Sequence, residues 1–222
     1  ILSILSVSLV SYYSLGGFPE RLFIFLLFFL IFFNSFNKLN KFSPLLFLLG
    51  AFSLISMLWY IDIGAYINVF LLIILIYFLL RKEFKKIASL FLGILSSWLI
   101  FLLIISPEEL SEFFEITISV YSTVDYYNGL IFPTPFFSGD ARSTRALLFL
   151  IIGGIFVIIL NFNKTIKLSY NNKTLFAFLF IASILVFKTA LSRSDTPHIK
   201  VAIGFNLFLI YSTGLYFLFS YI

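Results

Sequence analysis

Residues 65–105 read AYINVFLLIILIYFLL (65–80), RKEFKK (81–86) and IASLFLGILSSWLIFLLII (87–105). Two apolar runs are thus joined by six residues that carry four basic side chains and one acid, Glu83. Each run approaches the roughly 20 residues that a helix needs to cross a bilayer. Lysine and arginine between spans are retained on the cytoplasmic side. This stretch therefore predicts a transmembrane helical hairpin, and the same pattern extends in both directions along the chain.

The composition of the chain predicts an integral membrane protein. Of the 222 residues, 61% are hydrophobic and 11% are charged, whereas a soluble domain is about half apolar and about a quarter charged. We predict an all-α fold, a polytopic transmembrane helix bundle of about eight spans in a single domain, 1–222. The chain starts within an apolar run and without a methionine, so we expect an N-terminally truncated fragment. The apolar runs are 1–13, 21–33, 44–58, 65–80, 87–105, 145–160, 175–190 and 201–220.

The distribution of charge predicts an orientation. Basic connections with almost no acid are assigned to the cytoplasm: 34–43, 81–86 and 161–174. The other connections then face outward and hold nine of the ten acids: 14–20, 59–64, 106–144 and 191–200. The net charge of +5 is therefore a topology signal and does not indicate a nucleic-acid partner. Without cysteine, disulfides and thiolate–metal sites are excluded.

The long outward loop, 106–144, begins with a predicted helix. Ser106 followed three residues later by Glu109 forms a capping box, with proline at the first turn. Apolar and polar residues then separate onto different faces, so we expect an amphipathic helix that lies flat on the outer leaflet. The rest of the loop, 125–140, is rich in aromatic and turn residues and would suit a carbohydrate or an isoprenoid chain. The expected apolar face consists of Leu110, Phe113, Phe114, Thr117 and Tyr121.

A polar cluster, ALSRSDTPHIK (190–200), separates the last two apolar runs and contains the chain's single histidine, His198. Ionisable groups at the membrane edge are costly and mark functional sites. Arg193 and Lys200 can neutralise a phosphate. Asp195 can orient a neighbouring side chain, hold a sugar hydroxyl or coordinate a divalent cation. His198 can donate a hydrogen bond to a phosphate or act as an acid–base. One histidine among scattered acids predicts no dedicated metal site.

Three further charged residues are assigned to the outer face. Asp62 lies in a short hairpin beside Trp59, so it either caps the following helix or lines the same cavity as Arg193. Arg142 and Arg145 lie at the outer mouth of the sixth run, against the positive-inside rule. Arginine forks bind phosphate oxygens well, which predicts either a lipid-linked phosphate or a lipid headgroup as the partner.

Two short motifs carry a resemblance to a known family. Residues 190–199 (ALSRSDTPHI) and 59–64 (WYIDIG) resemble segments of bacterial GT-C-type membrane glycosyltransferases. The resemblance implies transfer of a sugar from a polyprenyl-phosphate donor at the extracytoplasmic face of the inner membrane, as part of cell-envelope assembly. The family's catalytic acid normally lies in the first outward loop. The corresponding loop here, 14–20, contains one acid, Glu20, which is not a convincing counterpart.

The roles that this reading implies cover seven residues. The donor phosphate would be bound by Arg193, with Arg142, Arg145 and Lys200 assisting. The catalytic groups would be Asp62, Asp195 and His198. A divalent cation is left open as a cofactor, and membrane lipids are expected partners. The alternatives are an O-antigen polymerase or ligase-like enzyme, a transporter or flippase, and a non-catalytic membrane subunit. Transport ranks lower because the apolar runs consist mainly of Leu, Ile and Phe.

Overall fold

The computed structural model describes residues 19–36, 43–128, 134–137, 141–163 and 168–192, together with 203–204, 206–207, 209–211 and 214. The regular structure in this part of the chain is helical, without strands. The helices are α1 (Pro19–Phe36), α2 (Pro44–Trp59), α3 (Ile61–Leu80), α4 (Phe84–Ile104), α5 (Pro107–Asn128), α6 (Ala141–Phe162) and α7 (Tyr170–Ser192).

Four helical segments are long and apolar enough to cross a membrane: Ile61–Leu80, Phe84–Ile104, Ala141–Phe162 and Tyr170–Phe187. Two shorter apolar helices are Phe23–Phe36 and Pro44–Trp59. The predicted all-α fold is thus confirmed for the described residues, and four helices have the length and composition of membrane spans. The count of eight spans is not confirmed, because the first apolar run and most of the last one lie outside the described residues.

The chain divides into two compact units. One comprises Glu20–Gly129 and therefore holds α2 to α5 and nearly all of α1. The other comprises Leu130–Ile222 together with Ile1–Pro19, and it holds α6 and α7. The boundary falls within the predicted outward loop, 106–144.

The tightest packing in the first unit is the contact between α2 and α4. Gly50 and Gly93 face one another there, and a Cβ added to Gly93 would lie 3.1 Å from the Cα of Gly50. The same added atom would collide with the carbonyl oxygen of Phe47. Small residues let membrane helices approach at backbone distance, where dispersion replaces the missing hydrophobic driving force.

Aromatic rings attach α1 to α3. The ring of Phe70 lies 5.7 Å from that of Phe28, 5.1 Å from that of Phe29 and 5.6 Å from that of Phe32, measured between centroids. Phe28, Phe32 and Phe70 are fully buried. The pairs of Phe70 with Phe28 and with Phe32 are edge-to-face, and such pairs contribute about 0.5–1.5 kcal/mol each beyond their buried area. Ring packing therefore holds the second apolar run, 21–33, against α3.

A Schellman turn joins α3 to α4. The amide of Lys82 donates to the carbonyl of Leu79 at 2.9 Å, and the amide of Glu83 donates to that of Phe78 at 2.9 Å. Lys82 has a φ of 56°, in the left-handed region that favours glycine. The carbonyl of Glu83 then accepts the amide of Lys86 at 2.9 Å, so α4 starts at once.

In the second unit, Gly154 in the middle of α6 faces Phe180 of α7, and the neighbouring Gly153 faces Asn206, beyond the end of α7. A Cβ on Gly154 would lie 2.9 Å from Cζ of Phe180, and a Cβ on Gly153 would lie 2.7 Å from Oδ1 of Asn206. Asn206 is fully buried, and within the described part of the chain neither atom of its amide has a hydrogen-bond partner.

Candidate functional site

Asp62 lies in the first turn of α3 and is half-buried. The connection from α2 consists of Tyr60 alone, in an extended conformation with φ −151° and ψ 121°. The carbonyl of Tyr60 accepts the amide of Gly64 at 2.8 Å, which closes the first turn. The predicted placement of Asp62 near a helix N-terminus, where the backbone dipoles favour a carboxylate, is confirmed. The capping position itself belongs to Tyr60.

Packing explains the glycine of the WYIDIG motif. A Cβ on Gly64 would lie 2.6 Å from the Cα of Met57, so the α2–α3 hairpin requires a residue without a side chain there. Trp59 ends α2 and is half-exposed, as expected of an indole at a membrane interface. The glycine of the motif thus has a packing role, and Asp62 is the motif's single charged residue.

Arg142 and Arg145 both lie at the start of α6, and both are exposed. Their i, i+3 spacing makes them neighbours on the helix surface. The first-turn amides of a helix have no intrahelical acceptor and present a partial positive charge. Two exposed guanidinium groups thus lie at the same helix end as these amides.

The structure places part of the aromatic loop beside these arginines. The amide of Phe136 donates to the hydroxyl of Thr144 at 2.8 Å, which ties residues 134–137 to the first turn of α6. Phe136, with a φ of 69°, and Phe137 are both well exposed. We call the group formed by Arg142, Arg145, Phe136 and Phe137 the arginine–aromatic surface. It combines cations with apolar rings at one helix end.

Four predicted site residues of the polar cluster lie outside the described residues: Arg193, Asp195, His198 and Lys200. Asp62 belongs to the first unit, and Arg142 and Arg145 belong to the second. In the part of the chain that is described, no three acidic or histidine side chains converge on one point.

Helix α5 begins as predicted. The amide of Ser106 donates to Oε2 of Glu109 at 2.9 Å, and the amide of Glu109 donates to Oγ of Ser106 at 3.2 Å. These two bonds complete a capping box. The hydrogen bond from the Ser106 backbone, followed by that involving its hydroxyl, lowers the pKa of Glu109 below its ordinary value.

The predicted apolar face of α5 is confirmed in part. Leu110, Phe113 and Thr117 are the less exposed positions, whereas Phe114 is exposed. The ring of Phe113 lies 6.2 Å from that of Phe101, close to the end of α4. The helix therefore braces α4, and its position on the outer leaflet stays a prediction.

Sequence reasoning missed a polar network inside the first unit. Nε1 of Trp98 donates to Oγ of Ser53 at 3.0 Å, and that hydroxyl donates to Oδ1 of Asn68 at 2.6 Å. The amide nitrogen of Asn68 donates to the carbonyls of Ser53 and Gly64, at 2.9 Å each. Three helices, α2, α3 and α4, are connected through these bonds. A single asparagine within 65–80 was the signal available in the sequence.

No protein-family model matches the chain, and neither a curated protein nor a solved structure is significantly similar to it.

Proposed function

We propose that the chain is a membrane glycosyltransferase, or part of one, that takes a sugar from a polyprenyl-phosphate donor at the extracytoplasmic face of a bacterial inner membrane. The observation that supports this proposal is the arginine–aromatic surface at the start of α6. Guanidinium groups suit the phosphate of the donor. Exposed phenylalanine rings beside them suit its isoprenoid chain or the face of its sugar.

In the proposed reaction, the bond between the anomeric carbon and the phosphate oxygen breaks, and an acceptor oxygen forms a bond to that carbon. Polyprenyl phosphate leaves, and its charge is stabilised by Arg193 together with Arg142, Arg145 and Lys200. The acceptor's proton passes to His198, which Asp195 orients. Asp62 shapes the acceptor or cation side. The transfer step itself rests on the resemblance of 59–64 and 190–199 to GT-C enzymes.

The arrangement of spans belongs to the same proposal. With eight spans and the basic connections in the cytoplasm, 59–64, 106–144 and 191–200 all open on the outer face. Helix α5 then lies along the outer leaflet and braces α4. A polymerase or ligase-like enzyme shares this geometry, and it differs in consuming a lipid-linked oligosaccharide as its donor.

A second candidate function, transport of a lipid-linked sugar, is favoured by one observation. Asn206 is fully buried beside Gly153, and Gly153 lies in the middle of α6. The amide of Asn206 has no hydrogen-bond partner within the described residues. Polar groups at mid-span mark substrate paths in transporters. The apolar runs are thus less uniform than their hydropathy indicates. We rank transport second because the part-buried asparagine network at Asn68 bonds to groups of its own helix bundle and serves packing, so a polar group within a helix does not by itself indicate a substrate path.

The test is binding of a polyprenyl-phosphate sugar to the purified protein, followed by transfer to an acceptor. We expect Arg193→Ala and the Arg142→Ala/Arg145→Ala pair each to weaken binding about 10-fold or more, because charge-assisted hydrogen bonds contribute about 1.5–3 kcal/mol. Lys173→Gln, which removes a cation from the connection 161–174, serves as the matched control and should bind as the wild type does.

The outcomes separate the candidate functions. Donor binding with release of polyprenyl phosphate supports the transferase. Movement of intact donor across proteoliposomes, lost in Asn206→Leu and without release of polyprenyl phosphate, supports transport instead. Equal binding by all the arginine variants refutes the phosphate site.

A further inference from the structure

Residues 81–86, the turn between α3 and α4 together with the first turn of α4, have chemistry that the proposed function does not use; we call this segment the turn. It joins two of the helices that are long enough to cross a membrane, so its side chains lie at the boundary between hydrocarbon and water. The six residues of the turn line a cleft of about 500 Å³. Their sequence, RKEFKK, contains four cations and one acid.

The single acid of the turn is engaged by one of these cations. Nζ of Lys86 lies 2.7 Å from Oε2 of Glu83 and 5.2 Å from the centroid of the Phe78 ring. Lys86 is 8% exposed, so this ion pair is part of the packed hairpin. Glu83 therefore neutralises the buried lysine and leaves two outer cations, Lys82 and Lys85, without an acidic partner within the described residues.

Lys82 and Lys85 are the outer cations on which the site depends. Both are exposed and both line the cleft, and neither forms an ion pair within the described residues. The Schellman bonds hold the backbone of Lys82 in the left-handed conformation, which ends α3. The direction of the bond from Cα to Cβ of Lys82 is thereby fixed. The two charges are thus held within a short, ordered hairpin.

Apolar side chains flank the cations. Leu80, the last residue of α3, is 77% exposed, and Phe84, the first residue of α4, is 65% exposed. Exposed apolar groups at the ends of two spans contact acyl chains, and the neighbouring lysines reach headgroup depth. The occupant that fits both features is an amphiphile with an anionic head.

We propose that the cleft at 81–86 binds the phosphate of an anionic phospholipid, with Lys82 and Lys85 as the phosphate-binding residues and Leu80 and Phe84 against its acyl chains. A zwitterionic lipid carries its own cation beside the phosphate and gains less from this site. The attraction of anionic lipid for each basic residue near a membrane surface corresponds to about 5-fold in affinity. This site is independent of the proposed transferase activity and uses other residues.

The test measures lipid retention by the full chain. Purified protein is equilibrated in mixed micelles with equal amounts of phosphatidylglycerol and phosphatidylcholine, repurified, and its retained lipid is quantified. We expect the wild type to retain an excess of phosphatidylglycerol. Lys85→Gln should reduce that excess about 5-fold, and Lys82→Gly/Lys85→Gln should abolish it. Lys173→Gln, in a different basic connection, should match the wild type.

Lys82→Gly is chosen because glycine keeps the left-handed turn while the charge is removed. The variant therefore separates loss of the cation from loss of the fold, and its thermal unfolding should show that the hairpin is intact. Retention of phosphatidylglycerol by the double variant at the wild-type level overturns the proposal. Displacement of the lipid by glycerol 3-phosphate at equal concentration overturns it as well, because the site would then recognise a soluble phosphate without acyl chains.

Discussion

Asn68 connects α3 directly to α2 through Ser53, and indirectly to α4, because Nε1 of Trp98 donates to the same Ser53 hydroxyl. Asn68→Leu should lower the free energy of unfolding by about 0.5–2 kcal/mol, the range for hydrogen bonds between membrane helices. The change leaves the hydroxyl of Ser53 without its acceptor in an apolar region. Unfolding in detergent, by temperature or by titration with sodium dodecyl sulfate, measures this loss.

Asn34 offers a matched control for that experiment. It is exposed on α1, and its Nδ2 donates to the carbonyl of Leu30 at 2.8 Å, within the same helix. Asn34→Leu removes the same chemical group without touching another helix, so its cost should be near zero. If both substitutions cost the same, the interhelical network contributes nothing to stability.

The contact of α2 with α4 is governed by two glycines. Gly93→Ala should destabilise the first unit by about 1–3 kcal/mol or more, because the new methyl group collides with the backbone of Phe47 and backbone atoms cannot rotate away. Ala88→Leu, at an exposed position of the same helix, is the control and should be close to neutral. Unfolding of both variants in one detergent measures the difference, and a neutral Gly93→Ala would show that the helices are not in backbone contact.

At the start of α5, the capping box gives a pH dependence. The pKa of Glu109 is lowered, so the folded state binds the proton less readily than the unfolded state does. The stabilisation is therefore complete above the ordinary value of 4.5 and is lost as the pH falls through the lower folded pKa. The protection factor of the Ser106 amide against hydrogen exchange should fall over that acidic window.

Glu109→Gln tests the origin of this effect. Glutamine still completes a capping box, so protection at neutral pH should persist, but it should no longer change with pH. Glu112→Gln, on the next turn, should behave as the wild type does. A pH dependence that survives in Glu109→Gln would assign the transition to another group.

At the level of elements, local patterns were predictable and contacts between elements were not. The apolar run 87–105 corresponds to α4 (Phe84–Ile104), and Ser106 and Glu109 identified the start of α5, because hydropathy and capping depend on near neighbours. The pairing of Asn68 with Ser53 depends on how three helices pack. The close approach at Gly50 and Gly93 depends on the same packing, and one sequence does not specify it.

For the whole molecule, the sequence predicted which charged residues lie at helix ends, but not which residues contact one another in the fold. Arg142 and Arg145 were correctly placed at a helix end, since their position follows from the boundary of an apolar run. The hydrogen bond from the Phe136 amide to Thr144 was not predictable, because it joins a loop residue to a helix residue eight positions away. The assignment of Asp62 and Arg193 to one cavity stays a prediction for the same reason.

The orientation of the chain is the last prediction, and it can be tested because the sequence contains no cysteine. Helix α4 is long enough to cross the membrane once, so Lys85 and Glu112 should lie on opposite sides of it, with the basic turn in the cytoplasm. An impermeant maleimide should label Glu112→Cys in intact bacterial cells. It should label Lys85→Cys only after the cells are permeabilised. The reverse pattern would invert the topology and place the arginine–aromatic surface beyond reach of an extracytoplasmic donor. Labelling of both cysteines from one side would show that α4 does not span the membrane.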